Sequence, residues 1–219
     1  FSAGVNLNYF YDRAVNKEFK DIDIFLNNFQ QSLYQLQHAK FPVVSCPSGL
    51  AIGGGYEVIS QTSFIAAHSN SVLGLVESLV GLIPAGGGCK EMLRRWANHS
   101  DIKNDPKQLS LKVFNLIGYA TTADSPIKAK AQQFLGEQDI MVMSKDRLIE
   151  EADKIIFSKK ENYQSFDSAT FSLPGPTVMS DMMDILYDLK DKKVIGEHGI
   201  EVGKKLGYML SGGDANPST

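Results

Sequence analysis

The stretch Gly49-Leu50-Ala51-Ile52-Gly53-Gly54-Gly55-Tyr56-Glu57 decides the fold of this 219-residue chain. Three glycines in succession let the backbone approach a neighbour or a ligand with no Cβ in the way. The carboxylate of Glu57 stands just past that turn. A second glutamate follows after a step of twenty (77 − 57 = 20), in Leu73-Gly74-Leu75-Val76-Glu77, ahead of Gly81-Leu82-Ile83-Pro84-Ala85-Gly86-Gly87-Gly88. A carboxylate beside such a turn is placed to move protons on whatever the turn holds.

The surroundings of both turns alternate short strands with helices. Phe41-Pro42-Val43-Val44-Ser45-Cys46 is a β-rich run closed by the turn Pro47-Ser48-Gly49. A helix is expected from Gly54 through Glu57 and Ile59, strands over Ser63–Ala67 and Ser71–Leu75, and a glycine-opened helix over Gly86–Trp96. Upstream, Ile22, Ile24, Phe25, Phe29, Leu33 and Leu36 recur at mostly helical spacing. The opening Phe1-Ser2-Ala3-Gly4-Val5-Asn6-Leu7 reads as the end of a strand entering a turn. From Leu109 onward only helices are expected: Leu109–Tyr119, Pro126–Leu135, Asp146–Phe157, Ser180–Leu189 and Gly196–Leu210, with a loop over Asn162–Thr177 broken by Pro174 and Pro176. This order is that of an α/β domain with a helical C-terminal region.

Composition narrows the partners. Hydrophobic residues make up 43%, charged residues 21%, and the formal net charge is −3, as in an ordinary globular domain. No basic stripe is available for phosphate backbones, so nucleic acid is not an expected partner. Lys90, Arg94 and Arg95 read as a solvated helix face. Cys46 and Cys89 make no disulfide framework, and Cys46 reads as a small buried hydrophobe. The expected setting is reducing and cytoplasmic. No apolar run reaches membrane-spanning length. Phe1 at the start and Gly212–Thr219 at the end read as cuts within a longer polypeptide.

Common cofactor and nucleophile motifs fail. Val58 and Glu91 stand where the last glycine of a dinucleotide fingerprint is required. His38, His68, His99 and His198 lack metal spacing, and no metal is expected. The first glycine turn offers other chemistry. A backbone N–H opening a helix is an unpaired donor, and two such donors stabilise an oxyanion on a carbonyl. The Ala3-Gly4-Val5 turn is the candidate for the second donor. Taken singly, Glu57 reads as a first-turn helix acid and Glu77 as a loop acid. Taken with both glycine turns, they read as an acid–base pair.

Phe41 to Arg95 resembles the crotonase (enoyl-CoA hydratase/isomerase) superfamily: a strand, G-x-x-x-G-G-G-x-E, then a glutamate before G-x-x-P-x-x-G-G. Phe1-Ser2-Ala3-Gly4-Val5-Asn6-Leu7 is similar to the family's F-x-A-G-x-D-L turn, with Asn6 in place of the acid. Ser144–Leu148 and Gly196–Tyr208 resemble the crotonase-like part of bacterial bifunctional 3-hydroxyacyl-CoA dehydrogenases.

The resemblance implies a crotonase-type β-β-α spiral, with the strands that precede F-x-A-G missing. The spiral core would occupy residues 1–110, and residues 111–219 would form the helical C-terminal region of the same domain. It implies an oxyanion hole from the N–H groups of Val5 and Gly54, with Ala3, Gly4 and Gly53 lining the bound substrate. Glu57 would activate the water and Glu77 would deliver the proton. The implied reaction is hydration of a trans-2-enoyl-CoA in fatty-acid β-oxidation. The alternatives are a Δ3-Δ2 enoyl-CoA isomerase and a non-catalytic acyl-CoA-binding or assembly module. Acyl-CoA is the substrate and no cofactor is implied here; NAD belongs to a separate dehydrogenase region. Apolar residues of the late helices, Leu148, Ile155, Ile156, Phe157, Met182, Met183, Ile185, Leu186 and Tyr187, exceed what one small core absorbs. Either a homo-oligomer or further segments of the same chain would cover them.

Overall fold

The computed structural model describes residues 1–102, 104–166, 170 and 172–214. In chain order these form α1 (Leu7–Val15), α2 (Phe19–Gln37), β1 (Val44–Ser45), β2 (Leu50–Ile52), α3 (Gly54–Ser60), β3 (Phe64–His68) and β4 (Val72–Gly74). There follow α4 (Gly88–Ala97), α5 (Pro106–Gly118), β5 (Thr122–Ala123), α6 (Pro126–Ala131), β6 (Ile140–Val142), α7 (Leu148–Lys159), α8 (Met179–Asp191) and α9 (Glu197–Ser211).

The first four strands alternate between two sheets, ordered β1-β3-β6 and β2-β4-β5, and β5 and β6 then add one strand to each. Every pairing is parallel except β4 with β5. Val44 pairs with Phe64, twenty positions on (64 − 44), and Leu50 with Val72, twenty-two on (72 − 50). Each turn of the chain therefore lays one strand in each sheet, and α3 carries it back for the next. This is the expected β-β-α spiral.

The structure also departs from expectation. Helices do not stand alone after Leu109, because β5 and β6 add to the two sheets. Strands of two or three residues are too short to show a period of two. For the same reason β2 is not foreseen between Gly49 and Gly54. Nor is α1 foreseen: its cap is Asn6, whose side chain accepts from the Asn8 N–H at 3.1 Å. Residues 167–169 and 171 of the expected loop, and 215–219 of the tail, lie outside the described residues.

The chain divides into two compact units. The first comprises Phe1–Leu75, Pro84–Gly88 and Thr122–Ser168, and contains both sheets. Its core includes Ala51, Tyr56, Ile59, Ile65, Leu73 and Phe134. The Tyr56 ring meets Phe134 edge-on at 5.0 Å, and its hydroxyl donates to the Phe134 carbonyl. Burying an aromatic ring this way satisfies its polar end as well. Leu148 is absorbed beside Ala66 and Val142, whereas Phe157 stays exposed.

The second unit comprises Val76–Ile83, Cys89–Thr121 and Ala169–Thr219. Here α8 and α9 pack at very short range. A Cβ at Gly203 would lie 2.3 Å from Leu186 Cδ2, and one at Gly207 would lie 3.0 Å from Met182 Sδ. Glycine costs a helix interior about 1 kcal/mol against alanine, and here the close approach needs it. Ser110 Oγ donates to the Leu210 carbonyl at 2.8 Å, tying α5 to α9. Met182 and Leu186 are buried in this core, while Tyr187 remains half exposed. Arg94 and Arg95 are no solvated face. They grip Glu91, whose side chain is wholly buried. Among the described residues no helix is long and apolar enough to cross a membrane.

Candidate active site

The site in the first unit begins with Ser2. It bridges Ala51 in parallel, donating to the Leu50 carbonyl at 2.7 Å and accepting from the Ile52 N–H at 3.1 Å. That pairing lays Ala3-Gly4-Val5 against Gly53-Gly54-Gly55. The glycines are demanded by contact. A Cβ on Gly55 would sit 2.5 Å from the Ser2 carbonyl oxygen. Gly53, at φ +55° and ψ −132°, turns β2 into α3, a conformation open to glycine alone. A Cβ on Gly4, at φ +99°, would stand 3.4 Å from the Gly54 nitrogen.

The backbone nitrogens of Val5 and Gly54 are thereby neighbours: a Cβ on Gly54 would stand 3.7 Å from the Val5 nitrogen. Gly53 spends its N–H on the Gly74 carbonyl at 2.9 Å. Among the hydrogen bonds of the described residues, neither Val5 nor Gly54 donates its N–H to the protein. Two adjacent unspent donors can bind an oxygen that acquires negative charge. Ala3 lies exposed on the turn beside them.

One helical turn after Gly54 stands Glu57, only 2% exposed. Its Oε1 accepts from the N–H groups of Gly86 at 2.8 Å and Gly88 at 2.9 Å. Both bonds fall on one oxygen, which leaves Oε2 for a ligand. Burial pushes the carboxyl above its ordinary 4.5, and the Gly88 and Gly86 N–H bonds only partly offset that rise. A base with a raised pKa accepts a proton nearer neutral pH.

The second glycine triplet thus serves the first glutamate. A Cβ on Gly86 would stand 2.3 Å from Phe29 Cε1 and 2.7 Å from Glu57 Oε2. One on Gly88 would stand 2.7 Å from Leu75 Cδ2. Sequence reading pairs Gly86 and Gly88 with Glu77, and it reads Phe29 only as an apolar position of α2. Phe29 also reaches the Gly54 position, at 3.7 Å from a Cβ there, so its ring borders both the donor pair and the Glu57 loop. Helical periodicity is its only signal in the sequence.

Ala3, Gly4, Val5, Gly53, Gly54 and Glu57 are therefore brought together in the first unit. Glu77 belongs to the second, where it opens a 3-10 turn, Glu77–Val80. Cys46 is half buried, with its thiol raised by burial and by the nearby Asp153 carboxylate. A raised thiol is a poor nucleophile, in keeping with its reading as a packing residue. Among the described residues no group of three or more His, Cys, Asp or Glu side chains is arranged to hold a metal ion.

Comparison with known proteins agrees with this fold. The enoyl-CoA hydratase/isomerase family model matches residues 1–104. A probable 3-hydroxyacyl-CoA dehydrogenase of Bacillus subtilis (strain 168) is 30% identical over 97% of this chain and 27% of its own length. This chain thus spans about a quarter of that relative. A probable enoyl-CoA hydratase of the same organism is 24% identical over 98% of this chain and 71% of its own. The crystal structure of an enoyl-CoA hydratase from Polaromonas sp. JS666 superposes with a TM-score of 0.58 at 16% identity. The match covers 95% of this chain and 68% of that one. At that identity the likeness shows the fold, which is the crotonase fold.

Proposed function

We propose, for a chain whose residues 1–104 belong to the enoyl-CoA hydratase/isomerase family, that it adds water across the double bond of a trans-2-enoyl-CoA. The product is the 3-hydroxyacyl-CoA. The observation that carries this reading is the pair of unspent N–H groups at Val5 and Gly54, one helical turn from a buried glutamate with a raised pKa.

The thioester oxygen would accept from the Val5 and Gly54 N–H groups. As water attacks Cβ, electron density moves through Cα to that oxygen, where the two donors stabilise it. Glu57, as carboxylate, takes a proton from the attacking water through Oε2. Glu77, as carboxylic acid, delivers a proton to Cα. Ala3, Gly4 and Gly53 are proposed to line the acyl group. Acid–base chemistry completes the cycle, so the proposal includes neither a metal nor a nicotinamide. A nicotinamide would serve a dehydrogenase region elsewhere in the polypeptide, as the name of the Bacillus relative suggests. The proposal places the protein in fatty-acid oxidation in the cytoplasm. Its support is the set of relatives with 3-hydroxyacyl-CoA dehydrogenase and fatty acid oxidation names. Self-association is part of it too, through exposed side chains such as Phe157 and Tyr187, and light scattering that finds only monomer removes that part.

The test is an enoyl-CoA hydration assay on the native polypeptide and its Glu57→Gln and Glu77→Gln variants. Each variant should lose about 100- to 10,000-fold in turnover. A Δ3-Δ2 isomerase moves one proton between carbons and needs one carboxylate, so it would keep most of its rate when one of the two is replaced. Acyl-CoA binding without hydration by the parent would support a binding module and end the hydratase reading.

A further inference from the structure

The turn that Glu77 opens is short, and Leu79 N–H donates to the Val76 carbonyl at its start at 3.1 Å. Gly81 N–H donates to the Ser78 carbonyl at 3.2 Å, and Leu82 N–H to the Glu77 carbonyl at 3.0 Å. Gly81 closes the turn in the left-handed region, at φ +75°. A 3-10 segment of this length has weak hydrogen-bond geometry and little stability of its own. Two contacts from other elements of the second unit fix it. Ser78 Oγ donates to the carbonyl of Ile117 in α5 at 3.0 Å. His198, in the first turn of α9, brings its Nε2 to the Gly81 carbonyl at 2.9 Å. The imidazole also lies flush against Gly81, since a Cβ there would stand 2.6 Å from Nε2 and 2.8 Å from Cδ2. Ring and glycine therefore fill one space, and neither can change without moving the other.

From this we infer that His198 is a positioning residue for Glu77, acting through the backbone of its turn. The inference rests on the hydration reading and deepens it. The donor is Nε2–H, which both the neutral Nε2–H tautomer and the imidazolium provide. The Gly81 carbonyl is the last anchor of the turn, and Glu77 is its first residue. Releasing the end lets the start shift. A displacement of about 1 Å at a reacting group costs on the order of 100-fold in rate. A residue that merely caps α9 would instead lower stability and leave the chemical step alone.

The experiment compares the native polypeptide with His198→Ala, His198→Gln, Glu77→Gln and the Glu77→Gln/His198→Ala double variant. Hydration kinetics and amide exchange over residues 79–82 are read for each. His198→Ala should lower kcat about 10- to 100-fold with KM unchanged. His198→Gln, which keeps an N–H donor, should restore most of the rate. The double variant should be no slower than Glu77→Gln alone, because the two act as one unit. Exchange over 79–82 should quicken in His198→Ala whatever the activity. Unchanged exchange overturns the inference, and so does a loss that multiplies with that of Glu77→Gln. A parent that hydrates no enoyl-CoA removes the hydration reading itself, and with it any catalytic consequence of the contact. Unchanged exchange in an active parent removes only the role of His198.

Discussion

Glu57 in the first unit and Glu91 in the second are both buried, 2% and 0% exposed, yet their net pKa shifts run in opposite directions. Burial raises both carboxyls. At Glu57 the opposition comes from two neutral backbone N–H groups, and the net pKa stays above 4.5. At Glu91 Arg95 and Arg94 outweigh burial, and the net pKa falls below it. Arg95 Nε donates to Oε1 at 2.7 Å and Arg94 Nε to Oε2 at 2.9 Å, so both oxygens are engaged. Neutral dipoles hold a carboxylate in place without cancelling its basicity. Full cations hold it and remove the basicity. Burial alone therefore does not mark a proton-transfer group; the charge of its partners does.

The sharpest way to break this comparison is to make the same substitution at both sites. Glu57→Gln keeps an Oε1 that can accept from Gly86 and Gly88. It should fold normally and lose about 100- to 10,000-fold in turnover. Glu91→Gln removes the buried charge that both arginines grip. Removing one partner of a buried ion pair costs about 3–5 kcal/mol, and the lower end applies here because Arg94 remains a quarter exposed. Denaturant unfolding and hydration kinetics on both variants read the two effects. If Glu57→Gln destabilises more than Glu91→Gln, the two carboxylates do not differ as described.

A smaller effect is expected from the loop that supplies the neutral dipoles. Gly86→Ala would drive a methyl group to 2.3 Å from Phe29 Cε1 and 2.7 Å from Glu57 Oε2. Overpacking of this kind costs about 1–3 kcal/mol, and it displaces the carboxylate as well. Turnover should fall more steeply than stability. Gly118→Ala, with nothing within 4 Å of the added methyl, is the control and should leave activity intact. A Gly86→Ala enzyme with full activity would mean that the loop does not hold Glu57.

Much of the Glu57 site is legible in the sequence because its parts are adjacent. Gly53, Gly54, Gly55 and Glu57 fall within one turn, and their glycines are needed for local backbone reasons. The donor at Val5 is legible only through a family pattern, since it meets Gly54 across forty-nine positions (54 − 5). What was not legible is long-range or too short for periodicity. Gly86 and Gly88 reach Glu57 over about thirty residues. Asp139 accepts from the Ile65 N–H across seventy-four. β2, β5 and β6, of two or three residues each, carry no alternation. The burial of Glu91 has no signal in the sequence, because the Arg94 and Arg95 beside it suggest an exposed face. Only the fold shows that the three charges turn inward together.

The smallest expected effect is thermodynamic, and it sharpens the comparison most. A carboxyl whose pKa is raised in the folded protein binds its proton more tightly folded than unfolded. Its contribution to stability is therefore greatest below the unfolded value, near 4.5, and declines as pH climbs to the folded value. Above that window the folded protein carries a costly buried charge. Glutamine carries none, so Glu57→Gln should melt higher than the parent at neutral pH. The gap should close as pH falls towards 4.5. Glu91 works the other way: its folded pKa is lowered, so its stabilisation is present above 4.5 and is lost as pH falls through the folded value. Melting curves across pH for the parent and both glutamine variants would show the two gaps opening in opposite senses over different ranges. A Glu57→Gln variant that melts no higher than the parent at neutral pH would mean that Gly86 and Gly88 fully compensate the buried charge. Glu57 would then be an ordinary carboxylate and would not be poised as a base.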